Sequence, residues 1–170
     1  MMRSRSRRLA GPLQIASIGP PESVTNLDKL MPTESRNRPA ALTIRVYYED
    51  TDAGGVVYYA NYLKFFERAR TEWLRHLGVD QTQLATAERR LFVVKNVEIQ
   101  YRRPARLDDE LTIHTEVSHL GRASIRFEQR ALRGDELLCQ ATVTVCCVDA
   151  DRFRPTDLGP TVTTLLSNTD

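Results

Sequence analysis

The chain has 170 residues, with 24 basic and 22 acidic side chains and 41% hydrophobic against 27% charged residues. That suits one globular domain with a real core and excludes collagen-like and wholly disordered classes. The charge is uneven: residues 1–40 carry a net +4 and everything beyond them −2, so the body lacks the basic balance of a nucleic-acid-binding groove.

In chain order, the first segment stands apart. Residues 1–40 hold none of the twelve aromatics and five of the eight prolines. Pro12 and the Pro20–Pro21 pair break both the apolar stretch of a secretory signal and the helix of a transit peptide. The segment is therefore expected to be a disordered extension, or to precede a start at Met31. From Leu42, an alternation through Ile44, Val46 and Tyr48 predicts a half-buried strand. Asp50 to Tyr59, centred on Gly54 and Gly55, reads as a loop.

Tyr62, Phe66, Ala69, Trp73 and Leu77, widened by Leu63 and Leu74, then recur at helical spacing, with Gly78 as the stop. Arg68 and Glu72 are placed for an exposed pair on that helix. Asp80 to Arg90 shows no regular pattern. Beyond it everything reads as strand. Phe92 and Val94 keep one phase and Val97, Ile99 and Tyr101 the other, which predicts a bulge near Asn96. Two further alternating runs, Leu111 to Val117 and Ala123 to Phe127, are joined by a turn at His119–Arg122. A last run, Leu137 to Cys147, follows a turn at Gly134–Asp135.

One long helix against about five antiparallel strands is an α+β architecture with a sheet wrapped around the helix. The expected domain runs over 41–150, with 151–170 as a C-terminal tail. No run approaches the ~20 apolar residues of a spanning helix, so no membrane insertion is expected. Cys139, Cys146 and Cys147 lack metal-type spacing and read as reduced strand thiols, which points to a cytoplasmic protein. His76, His114 and His119 form no ligand set. No metal site and no cofactor is expected.

The chemistry concentrates between Tyr48 and Tyr62. A carboxylate in a loop that opens a helix sits beside free backbone N–H groups and the positive end of the helix dipole. Asp50 and Asp52 supply carboxylates, Val56, Val57 and Tyr58 an apolar flank, and Gly54 and Gly55 room for a ligand against the backbone. From the residues alone two readings stand: a catalytic loop, or an acidic turn whose glycines serve only tight geometry.

The run Asp50-x-Asp52-Ala53-Gly54-Gly55-Val56-Val57-Tyr58, followed by Asn61-Tyr62 and Phe66-Glu67-Arg68-Ala69-Arg70, resembles the hot-dog acyl-CoA thioesterases of the hydroxybenzoyl-CoA thioesterase family. Tyr101-x-x-Pro104-Ala105-Arg106-Leu107-Asp108-Asp109 fits the branch associated with the Tol–Pal system. The resemblance covers roughly Leu42 to Asp149 and implies a hot-dog fold and hydrolysis of an acyl-CoA. It gives Asp52 the role of nucleophile or general base and the Tyr59 backbone N–H that of oxyanion donor. Gly54, Gly55, Val56, Tyr58, Asn61 and Ser124 become substrate contacts. Many members carry histidine where this chain has Tyr59; a backbone role survives that change. Glu67 is expected to be structural, paired with an arginine. Arg102, Arg103, Arg106 and Arg122 are candidate CoA phosphate contacts, against the plainer reading of solvated arginines in a chain with 21 of them. The resemblance also implies a homodimer joined edge to edge or a homotetramer, with acyl-CoA or an acyl carrier protein as partner. The alternative is a non-catalytic acyl-CoA or acyl-carrier-protein binding module.

Overall fold

A computed structural model describes residues 40–167; the expected N-terminal extension up to residue 39, with the Met31 start, lies outside the described residues. Five strands form one antiparallel sheet: β1 (Ala40–Arg45), β2 (Arg90–Tyr101), β3 (Glu110–Leu120), β4 (Ser124–Arg133) and β5 (Glu136–Asp149). Their spatial order is β1-β3-β4-β5-β2. The first two strands of the chain are thus the two edges, and the long final strand lies inside. Helix α1 (Asn61–His76) packs across β1 and β3. Together these give the expected α+β hot-dog arrangement, with the sheet curved about one long helix.

The strands follow their alternation. On β4, Ile125, Phe127, Gln129 and Ala131 are buried while Arg126, Glu128 and Arg130 face outward. Leu111, Ile113 and Thr115 of β3 and Cys139, Ala141, Val143, Val145 and Cys147 of β5 share that inner face. The phase change on β2 is a register shift between Val94 and Asn96 opposite β5. The Gly134 turn takes a φ of 57°, in the left-handed region that glycine enters at least cost.

Helix α1 buries Tyr62, Phe65, Phe66, Ala69, Trp73 and Leu74 on one stripe. The Trp73 and Phe127 rings meet edge to face at 5.4 Å, joining helix to sheet. Arg75 and His76 sit in the last turn, where the dipole favours cations, and Gly78, at φ 88°, ends the helix. Two details differ from the sequence pattern. Leu63 is more exposed than buried residues of the stripe, and Phe65 fills the core in its place. Glu72 pairs with Arg75, not with Arg68.

Two helices carried no legible signal. In α2 (Gln81–Ala87), only Leu84 is buried, and Asp80 caps the first turn by accepting from Thr82 N–H and Gln83 N–H. Helix α3 (Gly159–Ser167) lies in the segment read as a C-terminal tail. Its Leu158 approach and its Val162 and Leu166 are buried in the core, so ordered packing continues well beyond Ala150.

Candidate active site

The loop from Val46 to Ala60 leaves the end of β1, crosses the lower rim of the sheet and feeds α1. Its base is pinned against the segment that leads into β3. Val46 N–H donates to Asp109 O at 2.9 Å, Asp108 N–H to Val46 O at 3.0 Å, and Val57 N–H to Ala105 O at 2.8 Å. Ala105 is fully buried, and its own N–H donates to the Tyr62 hydroxyl at 3.2 Å. Burial is the main influence raising the Tyr62 phenol above its ordinary value, so the hydroxyl stays protonated at neutral pH.

Within this frame, Asp50 is buried and Asp52 exposed, although they stand two residues apart in an acidic run. The Asp50 carboxylate turns inward and accepts from Tyr47 N–H at 3.0 Å. Asp52 sits at the mouth of a tight loop closed by a bridge between Thr51 and Val57. Its N–H donates to Val56 O and its C=O accepts from Gly55 N–H, both at 2.9 Å. One carboxylate oxygen, Oδ1, accepts from Gly54 N–H at 2.8 Å. No other described group claims the carboxylate, which leaves Oδ2 open to solvent. Gly54 is needed here for space: a Cβ at that position would stand 3.1 Å from Asp52 Oδ1. Gly55 is needed for its φ of 72°.

Helix α1 opens without a side-chain cap: Ala60, its N-cap residue, provides no capping bond. Among the described residues, no acceptor takes the backbone N–H of Tyr59. Its direction is nonetheless fixed. The Tyr58 carbonyl, in the same peptide plane, accepts from Asn61 N–H at 2.8 Å. In a trans peptide the following N–H points the opposite way, so Tyr59 N–H is turned away from the helix body. An uncapped helix start with a free amide is a site for an anion or a developing oxyanion.

Aromatic rings wall this corner. Tyr58 and Tyr59 lie 4.6 Å apart, Tyr59 and Tyr101 6.3 Å, and Tyr62 and Tyr101 5.8 Å. Tyr58, Tyr59 and Tyr101 are exposed. The adjoining Tyr59 phenol is the largest influence raising Tyr58 above its ordinary value, with a smaller push from the Asp52 carboxylate. Gly54, Gly55, Val56 and Tyr58 surround Asp52 in the loop itself. Asn61 is buried, and its side-chain Nδ2 is already engaged with the Asp50 carbonyl at 2.9 Å. Ser124 begins β4 at the far end of the sheet, opposite Cys146. The length of β4, about 30 Å, separates it from the Asp52 loop of the same chain.

Arg102, Arg103 and Arg106 are exposed at the end of the sheet where the loop lies. Arg103 pairs with Glu136 at 2.9 Å, and Arg102 donates to Gln100 at 2.7 Å. Arg122 stands at the opposite end, in the turn before β4. Glu67 pairs with the buried Arg70. Among the described residues, no three His, Cys, Asp or Glu side chains gather as a metal site, and no helix is long and apolar enough to cross a membrane. Ala105, Tyr62 and Tyr101 frame the site, but the sequence marks them only as motif, helix-stripe and strand residues. Their motif was visible, but nothing in it distinguishes a wall or a tether from ordinary core.

A family model described as the thioesterase-like superfamily matches residues 46–165. The chain is 54% identical over 112 residues to the acyl-CoA thioesterase YbgC of Haemophilus influenzae, covering 66% of this chain and 82% of that protein. It is 49% identical over 120 residues to the acyl-CoA thioester hydrolase YbgC of Escherichia coli O6:H1, covering 70% and 89%. The crystal structure of a probable thioesterase from Bartonella henselae superposes with a TM-score of 0.67 at 41% identity, over 70% of this chain and 98% of that one.

Proposed function

The chain belongs to the thioesterase-like superfamily and is a thioester hydrolase; from that premise we propose that it hydrolyses an acyl-CoA to the free acid and CoA, with Asp52 as the reacting carboxylate and Tyr59 N–H as the oxyanion donor. The observation that carries this reading is the pairing of an exposed carboxylate, held by Gly54 N–H through one oxygen, with an unclaimed amide at an uncapped helix start.

Two routes balance. In the first, Asp52 Oδ2 attacks the thioester carbon, the carbonyl oxygen gathers negative charge at Tyr59 N–H, and the C–S bond breaks to release CoA thiolate, which takes a proton from water. Water then hydrolyses the mixed anhydride to the acid and restores the carboxylate. In the second, Asp52 takes a proton from water as that water attacks the same carbon, and the proton passes to the leaving sulfur. Both routes place the developing charge on the same amide.

Arg102, Arg103 and Arg106, exposed beside the loop, suit the phosphates of CoA. The working form we assign is a homodimer or homotetramer in the cytoplasm, acting on acyl groups carried by CoA or by an acyl carrier protein. The two unpaired sheet edges, β1 and β2, and the three free thiols are consistent with that assignment.

Asp52→Asn tests the reading. It keeps the acceptor for Gly54 N–H but removes the charge, so thiol release from a panel of acyl-CoAs should fall to a small residual rate while CoA binding and the melting temperature stay. Unchanged turnover in that variant rejects the catalytic role. A wild-type protein that binds the panel and hydrolyses none of it is a binding module instead.

A further inference from the structure

We propose that Asn61 is a positioning residue that locks the Asp52 loop to the start of α1, rather than a contact for the substrate; the proposal rests on the thioesterase reading above. Asn61 is the first residue of α1, and only 5% of its surface is exposed. A side chain so enclosed has little to offer a ligand. Its backbone N–H and its side-chain amide nitrogen are both engaged within the protein. The backbone N–H donates to Tyr58 O at 2.8 Å, and this bond turns the Tyr58–Tyr59 peptide so that Tyr59 N–H faces outward. The side-chain Nδ2 donates to Asp50 O at 2.9 Å, two residues before Asp52.

Asp50 is the other half of the clamp. Its carbonyl accepts twice, from Asn61 Nδ2 and from Tyr58 N–H at 2.8 Å. Its buried carboxylate holds Tyr47 N–H at the end of the first strand. Three segments therefore meet on one residue: the exit of β1, the strand-like return at Tyr58 and the first turn of α1. Among the described residues, Asn61 is the side chain of α1 that reaches this knot. One residue thus fixes the direction of the proposed oxyanion donor through its backbone and the place of the proposed carboxylate through its side chain. A loop of exposed residues gains a defined distance to the helix start in this way, which is what preorganised electrostatic stabilisation requires.

The test compares Asn61→Ala and Asn61→Asp with wild type, each alone and combined with Asp52→Asn. Asn61→Asp keeps the shape and replaces the donor with an oxygen facing the Asp50 carbonyl. With an acyl-CoA that wild type hydrolyses, kcat should fall about tenfold, the rate equivalent of one neutral hydrogen bond, with KM within about twofold. In the Asp52→Asn background, the same substitutions should change the residual rate by less than about twofold, because they act through that carboxylate. Melting curves of all variants identify any that fail to fold, and the other substitution then decides. An unchanged kcat, a rise in KM at constant kcat, or an equal loss in the Asp52→Asn background overturns the proposal. Failure of the thioesterase reading looks different: wild type then releases no thiol, or Asp52→Asn retains full turnover.

Discussion

The hydroxyl of Tyr101 donates to the backbone carbonyl of Tyr59 at 3.1 Å. This single bond ties the last residue of an edge strand to the residue whose amide stands free at the mouth of α1. Burial is the largest influence raising the Tyr101 phenol above its ordinary value, so the donor persists throughout the physiological range. Tyr101→Phe removes the tether and keeps the ring edge-on to Tyr59 and Tyr62. The expected outcome is a loss of about threefold in kcat, the scale of a partly exposed neutral hydrogen bond, with KM changed little. Steady-state thiol release checks it.

Gly54→Ala probes the space around the proposed carboxylate. The added methyl would stand 3.1 Å from Asp52 Oδ1, so the carboxylate must give by a few tenths of an ångström. The loop is exposed, and the melting temperature should stay close to that of wild type. Turnover should fall by about three- to tenfold, the penalty for a small misplacement of a reacting group, and by less than in Asp52→Asn.

Arg70 is a buried cation on the inner face of α1. Its Nη1 donates to Gln129 Oε1 at 2.7 Å, and Gln129 Nε2 donates in turn to Thr115 Oγ1 at 2.8 Å and Phe66 O at 3.0 Å. Burial is the main influence lowering the Arg70 pKa from its ordinary value. Gln129→Leu leaves the guanidinium with Glu67 alone and removes the donor to Thr115 Oγ1 and Phe66 O, and should cost about 2–4 kcal/mol. Arg70→Met combined with Gln129→Leu should cost less than the sum of the two single changes, because neither the guanidinium nor the Gln129 amide is then left without the other. Denaturant unfolding at one fixed protein concentration measures all three.

The inner-face thiols make stability fall in alkali. Burial pushes Cys139 up to about 12 and Cys147 up to about 11. A raised pKa means that the folded state holds the proton more tightly than the unfolded chain does. The stabilisation is complete below the unfolded thiol value of about 8.5 and is lost as pH climbs toward 11–12. Urea midpoints should decline between pH 8.5 and 11, and Cys139→Val should flatten that slope.

Much of this was legible before any coordinates. The alternation from Leu42, the aromatic stripe of α1, the phase change near Asn96 and the glycine turn at Gly134 each follow from one local period, and local periods survive folding. Helix α2 was not legible because its seven residues bury one side chain, Leu84, too few to make a pattern. Helix α3 hid among threonines for the same reason. In the site, the Asp50–Tyr59 segment was legible as a loop, and only the family resemblance singled out Asp52 within it. What could not be read was the division of labour between neighbours. Asp50 and Asp52 look alike on paper, and only the contact with Tyr47 shows one carboxylate turned inward and the other left outside. Asn61 was expected as a substrate contact only through the family resemblance. Its burial against Asp50 depends on where β1 ends, a long-range fact that spacing does not encode.

The sheet order has a consequence for how the site comes into being. Among the described residues, strand β1 pairs only with β3, and Arg45 lies opposite Glu110, with the loop, two helices and β2 in between. During synthesis, the first strand, the Asp52 loop and α1 leave the ribosome well before the strand that docks them, and Ala105 to Asp109, which pin the loop, arrive in the same late stretch. Closing so long an excursion is slow, and an unpaired edge stays open to wrong partners while it waits. The proposed reacting carboxylate therefore belongs to a part of the molecule that is translated before the strand that docks it, and a nascent chain shorter than about Leu120 contains the whole motif without the contacts that pin the loop.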